Sequence, residues 1–130
     1  MRKLSRFLFL LLFIGTTSIK AQKTIIYSND SKDFNQALSL YKAKQYATAQ
    51  HIFDNVKATT SNEEIQSDCS FYSASSAIHT NQSNADVLMK NFISDFPTSI
   101  KQNQAFIDLA HYYFEQSNYS QALYWFDKVD

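Results

Sequence analysis

An all-α fold, an α-solenoid of about three stacked antiparallel helical hairpins, is predicted for this chain by three observations. The first is an internal repeat. Ala37, Tyr46, Ala49, Phe53, Asp54 and Val56 each find an identical residue 73 positions later, at Ala110, Tyr119, Ala122, Phe126, Asp127 and Val129. Leu40 and Tyr41 meet the similar Tyr113 and Phe114 at the same offset. That offset is twice a period of roughly 34–39 residues, the spacing of stacked helical hairpins, so a middle copy is expected between the two clear ones. The second observation is punctuation: after residue 21 there is no Gly and a single Pro, Pro97. Sheet proteins need both residues in their tight turns, so helices joined by Ser, Asn and Asp turns are favoured. The third is apolar spacing of the i, i+3, i+4, i+7 kind, which marks one buried helical stripe.

The first 21 residues read as a leader rather than as part of the fold. Arg2, Lys3 and Arg6 form a positive start, Phe7 to Ile14 is an unbroken apolar run, and Gly15, Thr16, Thr17 and Ser18 follow. This is the layout of a cleaved signal peptide, with the cut expected after Ala21 and Gln22 as the new N-terminus. From Phe7 to Ile19 the apolar stretch has 13 residues, short of the roughly 17–25 that a spanning helix needs. The protein is therefore expected to be exported, with no stable membrane span after cleavage. Cys69 is the only cysteine. It lies far from the cut, so a lipoprotein is not expected, and an intramolecular disulfide is impossible. Within an apolar-periodic stretch it reads as a small buried hydrophobe.

Without the leader the chain has 8 basic and 12 acidic residues, a net charge of −4. Nucleic acid and anionic lipid need a cationic footprint, so neither is an expected partner. The 109 remaining residues make one domain of ordinary size.

Residues 22–29, with the β-prone run Thr24, Ile25, Ile26 and Tyr27, are expected as an extended lead-in. Residues 30–130 then divide into repeats at about 30–63, 64–102 and 103–130. Asp30 or Ser31 caps the first helix, which buries Phe34, Ala37, Leu38 and Tyr41. Ala43 to Gln45 make the turn, and the second helix turns Tyr46, Ala49, Ile52, Phe53 and Val56 inward. Ser61 and Glu64 have capping-box spacing ahead of a helix with Ile65, Cys69, Tyr72, Ala74, Ala77 and Ile78. A polar turn over Thr80–Asn84 precedes Val87, Leu88, Phe92 and Ile93, and Phe96-Pro97 stops that helix. The residues leave the register of this middle copy open. Thr98 or Ser99 starts the third hairpin, with Phe106, Leu109, Ala110 and Tyr113 on one helix. Tyr119, Ala122, Leu123, Phe126 and Val129 line the next. At Ala37 and Ala110, and at Ala49 and Ala122, small side chains let paired helices approach closely.

The stretch Phe106–Val129, with Leu109, Ala110, Tyr113, Tyr119, Ala122 and Phe126 in that spacing, resembles a tetratricopeptide repeat. Residues 37–56 look like a second copy, with Gln36 where the family usually has Leu. The resemblance covers most of residues 30–130 and implies a right-handed superhelix. Phe92 through Ser99 followed by the third copy also resembles periplasmic or outer-membrane tetratricopeptide proteins of Gram-negative bacteria. The Ala21-Gln22 junction is similar to signal cleavage sites of the Bacteroidetes group. Periplasmic or outer-membrane-associated placement is what these likenesses imply.

No catalytic, cofactor or metal set is readable. His111 and Glu115 lie one turn apart, but no second His stands at helical spacing, so a surface pair is expected rather than a metal site. A chain without Gly after its leader cannot build a phosphate cradle of the P-loop or Rossmann kind. The expected function is a non-catalytic protein–protein interaction scaffold, with a partner peptide or helix in a concave groove formed by the first helix of each pair. Asn35, Leu38, Lys42, Asp108, His111 and Glu115 are the candidate groove residues. The alternatives are a docking module for an enzymatic or effector domain beyond residue 130, and a structural assembly element of the envelope. The last hairpin is expected to present an apolar end, Tyr124, Trp125 and Val129 with parts of Tyr112 and Tyr113, to further repeats or a partner.

Overall fold

A computed structural model describes the backbone of residues 18–130 and the side chains of residues 29–130. The predicted leader lies outside the described residues up to residue 17. Among the described residues there are six helices and no strand: α1 (Ser18–Lys42), α2 (Tyr46–Thr59), α3 (Glu63–His79), α4 (Ala85–Asp95), α5 (Gln102–Glu115) and α6 (Tyr119–Phe126). Each helix packs on the next in sequence, and the first helices of the pairs also meet, α1 on α3 and α3 on α5. None of them is long and apolar enough to cross a membrane.

The three hairpins close with the same turn. Lys44, Asn81 and Ser117 have φ of 62°, 51° and 59°, the left-handed region that a Schellman turn needs just past a helix end. In each, the N–H of the following residue reaches back five positions, Gln45 to Leu40 at 2.9 Å, Gln82 to Ala77 at 3.0 Å and Asn118 to Tyr113 at 2.8 Å. These bonds satisfy carbonyls that the helix end would otherwise leave without a donor. Gly is the residue that suits this backbone, and none is present here.

The common turn sets the register of the middle hairpin, which the sequence leaves open. Lys44 and Asn81 are 37 residues apart, Asn81 and Ser117 are 36 apart. On this frame Phe34 matches Phe71, and Ala37 matches Ala74 and Ala110, all three alanines buried. The second helices follow a different frame. The N–H of Ala49 bonds Gln45, and that of Ala122 bonds Asn118, four residues back; the N–H of Ala85 bonds Gln82, three back. The middle turn is thus one residue shorter, and Ala85, Met89 and Phe92 take the places of Ala49, Phe53 and Val56 at an offset of 36.

Two apolar clusters hold the stack. Ala37, Ala49, Phe53, Val56 and Cys69 form one, and Phe71, Ala74, Met89, Phe92, Ala105, Leu109, Ala110 and Trp125 the other, with Tyr72 packed against both. Cys69 is fully buried within the first cluster, as a small hydrophobe is, and that burial pushes its thiol up to about 12. Helix α3 sits between neighbours on several sides, and its buried face carries Ser70, Ser73, Ser75 and Ser76. Small side chains permit that close packing, but their hydroxyls need partners. Ser73 donates to Asp54 at 2.6 Å, and Ser70 accepts from Lys57 at 3.3 Å. Between the second and third hairpins, Tyr113 donates to Asp86 at 2.7 Å while Lys90 reaches both at 2.6 and 2.9 Å. Burial pushes the Asp86 carboxyl up, but the hydrogen bonds from Lys90 and Tyr113 outweigh it and leave it below its ordinary range.

Four details differ from the sequence reading. Residues 22–29 are helical, inside α1, and Asp30 is buried in that helix rather than capping it. The β-branched run there is a weak local preference, and no Gly or Pro interrupts the helix through these positions. The cap of α3 is Asn62 and not Ser61: its Oδ1 accepts from the N–H groups of Glu64 and Ile65 at 2.9 and 3.1 Å. Helix α5 starts at Gln102, because Pro97 to Lys101 is taken up by a turn in which Ser99 N–H bonds the Phe96 carbonyl and Gln102 N–H bonds the Ser99 carbonyl. On α6, Trp125 is buried against Phe106, whereas Tyr119, Leu123 and Phe126 are exposed.

Candidate functional site

The six candidate groove residues lie on two helices, Asn35, Leu38 and Lys42 on α1 and Asp108, His111 and Glu115 on α5. The turn register supplies the members from between them: Tyr72, Ser75 and His79 on α3 occupy the equivalent places. Sequence reasoning missed these three, since the middle frame was not fixed. The identical spacing Phe34/Phe71 and Ala37/Ala74 was the signal that finds them.

A polar seam crosses the three first helices at this level. The Tyr41 hydroxyl and Ser75 Oγ are 2.8 Å apart, and Ser75 Oγ donates to Asp108 Oδ2 at 3.2 Å. Since Ser75 gives its one proton to Asp108, the Tyr41 hydroxyl is the donor to Ser75. Gln104 Nε2 donates to the other carboxylate oxygen of Asp108 at 2.8 Å. Burial pushes the Asp108 carboxyl above its ordinary range, partly offset by the bonds from Gln104 and Ser75 and by the nearby His79 and His111. Burial likewise raises the Tyr41 hydroxyl.

His79 stacks on Tyr46 with ring centres 4.3 Å apart and meets the edge of Tyr41 at 6.0 Å. Beside it opens a cleft of about 270 Å³ lined by Ile78, His79, Asn81, Asp108, His111, Tyr112 and Glu115. The structure thus brings Asp108, His111 and Glu115 together with His79. It does not bring the α1 residues there. Leu38 packs half-buried on the first apolar cluster, the Asn35 carbonyl accepts from Ser39 Oγ within α1, and Lys42 is exposed.

Chemically, the cleft offers two carboxylates, two imidazoles and the ring of Tyr112. That set accepts hydrogen bonds from amide, ammonium or guanidinium donors. Among the described residues, no three His, Cys, Asp or Glu side chains are grouped to hold a metal ion. Ser75 itself is buried, and its one proton is held by Asp108. A larger cleft, about 730 Å³, lies between the start of α3 and the α4–α5 turn, lined by Glu63, Glu64, Asp68, Asp95, Phe96 and Ile100 among others. Three of its four carboxylates have other work: Glu63 and Glu64 sit in the first turn of α3, where the helix dipole favours them, and Asp68 pairs with Lys101 at 3.3 Å. No protein-family model, no curated protein and no solved structure matches this chain.

Proposed function

We propose that the chain is a non-catalytic protein–protein interaction scaffold of the cell envelope. In this reading it is a tetratricopeptide-like α-solenoid whose hairpins wind as a right-handed superhelix, exported by its leader to the periplasm or the outer-membrane surface. A partner peptide or helix lies along the face of the first helices and places a donor group in the cleft of Asp108, His111, His79 and Glu115. The observation that carries the reading is the Tyr41–Ser75–Asp108 seam. It ties α1, α3 and α5 together at one level, so their outward residues form a continuous strip that a single extended or helical ligand can follow. A rigid strip reduces the ordering cost of binding.

The test is site-specific photo-crosslinking in the native envelope. A benzophenone side chain at Glu115 should give a discrete adduct, and one at the exposed Asn55 of α2 should not. Equal labelling from both positions, or a cytoplasmic product that keeps residues 1–21, contradicts the proposal.

A further inference from the structure

A second surface, which borders the first-helix face at His111 and Glu115, is defined by comparing the first and third hairpins. In the first, Tyr41 and Tyr46 meet edge to face with ring centres 5.3 Å apart, and the second hairpin sits on them. His79 stacks on Tyr46, Tyr72 stacks on Phe53 at 5.3 Å, Gln82 bonds Gln50 at 2.6 Å and Ser73 bonds Asp54. The third hairpin repeats this seat 73 residues on. Phe114 and Tyr119 meet edge to face at 5.4 Å, Phe126 stands for Phe53, Leu123 for Gln50, and Asp127 is the same residue as Asp54. Among the described residues nothing covers this seat: Phe114, Tyr119 and Leu123 are 60%, 61% and 62% exposed. Phe114 and Phe126 line a cleft of about 350 Å³ with His111 and Glu115.

We propose that this ridge docks a helical hairpin in the register in which α3 and α4 sit on α1 and α2. Its first helix carries a ring that stacks on Tyr119, a second ring one to two turns away against Phe126, and a hydroxyl that donates to Asp127. Leu123 in place of Gln50 makes the seat more apolar than its internal counterpart. A second copy of this chain is not the occupant. The first helix of a copy's leading hairpin is α1, which has Asn35, Gln36 and Lys42 where α3 has Tyr72, Ser73 and His79. Both rings and the hydroxyl are missing. Exposed contiguous apolar surface of this kind is a mark of an interface.

The probe is a synthetic peptide of residues 60–97, which carries α3 and α4, added to the intact protein and followed by hydrogen-exchange mass spectrometry. Protection should rise at 119–126, saturably. Leu123→Asp in the protein, or Tyr72→Ala with His79→Ala in the peptide, should weaken binding at least about tenfold, a loss of about 1.4 kcal/mol. The helical circular dichroism of the Leu123→Asp protein should be unchanged. No protection at 119–126, protection on α2 instead, or equal binding by the ringless peptide overturns the proposal. So does a dimer of the protein alone, in sedimentation equilibrium, that Leu123→Asp abolishes, because the occupant would then be a second copy.

Discussion

Phe53 and Phe126 are the same residue at the same place in two hairpins, yet Phe53 is 0% exposed and Phe126 is 43% exposed. Their own helices treat them alike, each one turn past a buried alanine, Ala49 and Ala122. What differs is the neighbour. Phe53 lies between Phe34 of its own hairpin and Tyr72 of the next, whereas the ring recorded against Phe126 is His111 of its own hairpin. Burial in this architecture is thus a property of position in the stack and not of the hairpin. The same conclusion covers Tyr46 and Tyr119, one beneath His79 and one in solvent.

That contrast breaks most plainly under truncation. Phe53→Ala is expected to cost about 3–5 kcal/mol, the range for deleting a fully buried aromatic ring. Phe126→Ala should cost less than about half as much, since much of its ring is already hydrated. Urea denaturation of the two variants measures this, and similar losses would mean that Phe126 is covered after all.

Alanines at the helix crossings sharpen the comparison from the other side. Ala37, Ala74 and Ala110 are all buried in equivalent places, so each should lose about 1–3 kcal/mol on change to Leu through overpacking. The middle residue is the informative one. If Ala74→Leu is neutral while the outer two are costly, the offsets of 37 and 36 are wrong.

How much of this was legible in the chain is itself explained by those offsets. The hairpins, the Phe96-Pro97 stop and the 73-residue repeat were readable, because they depend on periodicity and on a residue that cannot continue a helix. The middle copy was not. Its first helix aligns at 37 and its second at 36, so no single shift matches both, and each half looks degenerate alone. The equivalent positions Tyr72, Ser75 and His79, of which only His79 lines the cleft, go unread for the same cause, while Asp108, His111 and Glu115 sit in a clear copy. Trp125 reads from the sequence as part of the exposed end because inward and outward stripes on the short α6 are separated by a single residue, Trp125 from Phe126. The lead-in and the Ser61 cap failed on local propensity, which a continuing helix and the neighbouring Asn62 outweighed.

Two carboxylates give an opposed pair of pH responses. Asp86 is held below its ordinary range, so it adds stability above that range and loses it as pH falls through the lowered value. Asp108 is raised, so the fold is favoured while it is protonated and loses stability as pH climbs from about 4 through the raised value. Denaturation midpoints between about pH 3 and 7 should show Asp86→Asn removing the acid-side loss and Asp108→Asn removing the decline on the other side. A parallel shift of the whole curve in either variant would contradict the assignment.

The three left-handed turn residues test the common register most directly. Lys44 and Ser117 hold positive φ with a Cβ in place, and Asn81 does so with a side chain that tolerates it. Glycine relieves the strain where it exists. Thermal denaturation of Lys44→Gly and Ser117→Gly should show a gain of about 0.5–1 kcal/mol each, and Asn81→Gly a smaller change. Three hairpins closed by one kind of turn predict that pattern. A loss of about 1 kcal/mol at any of the three, as glycine causes inside a helix, would contradict it.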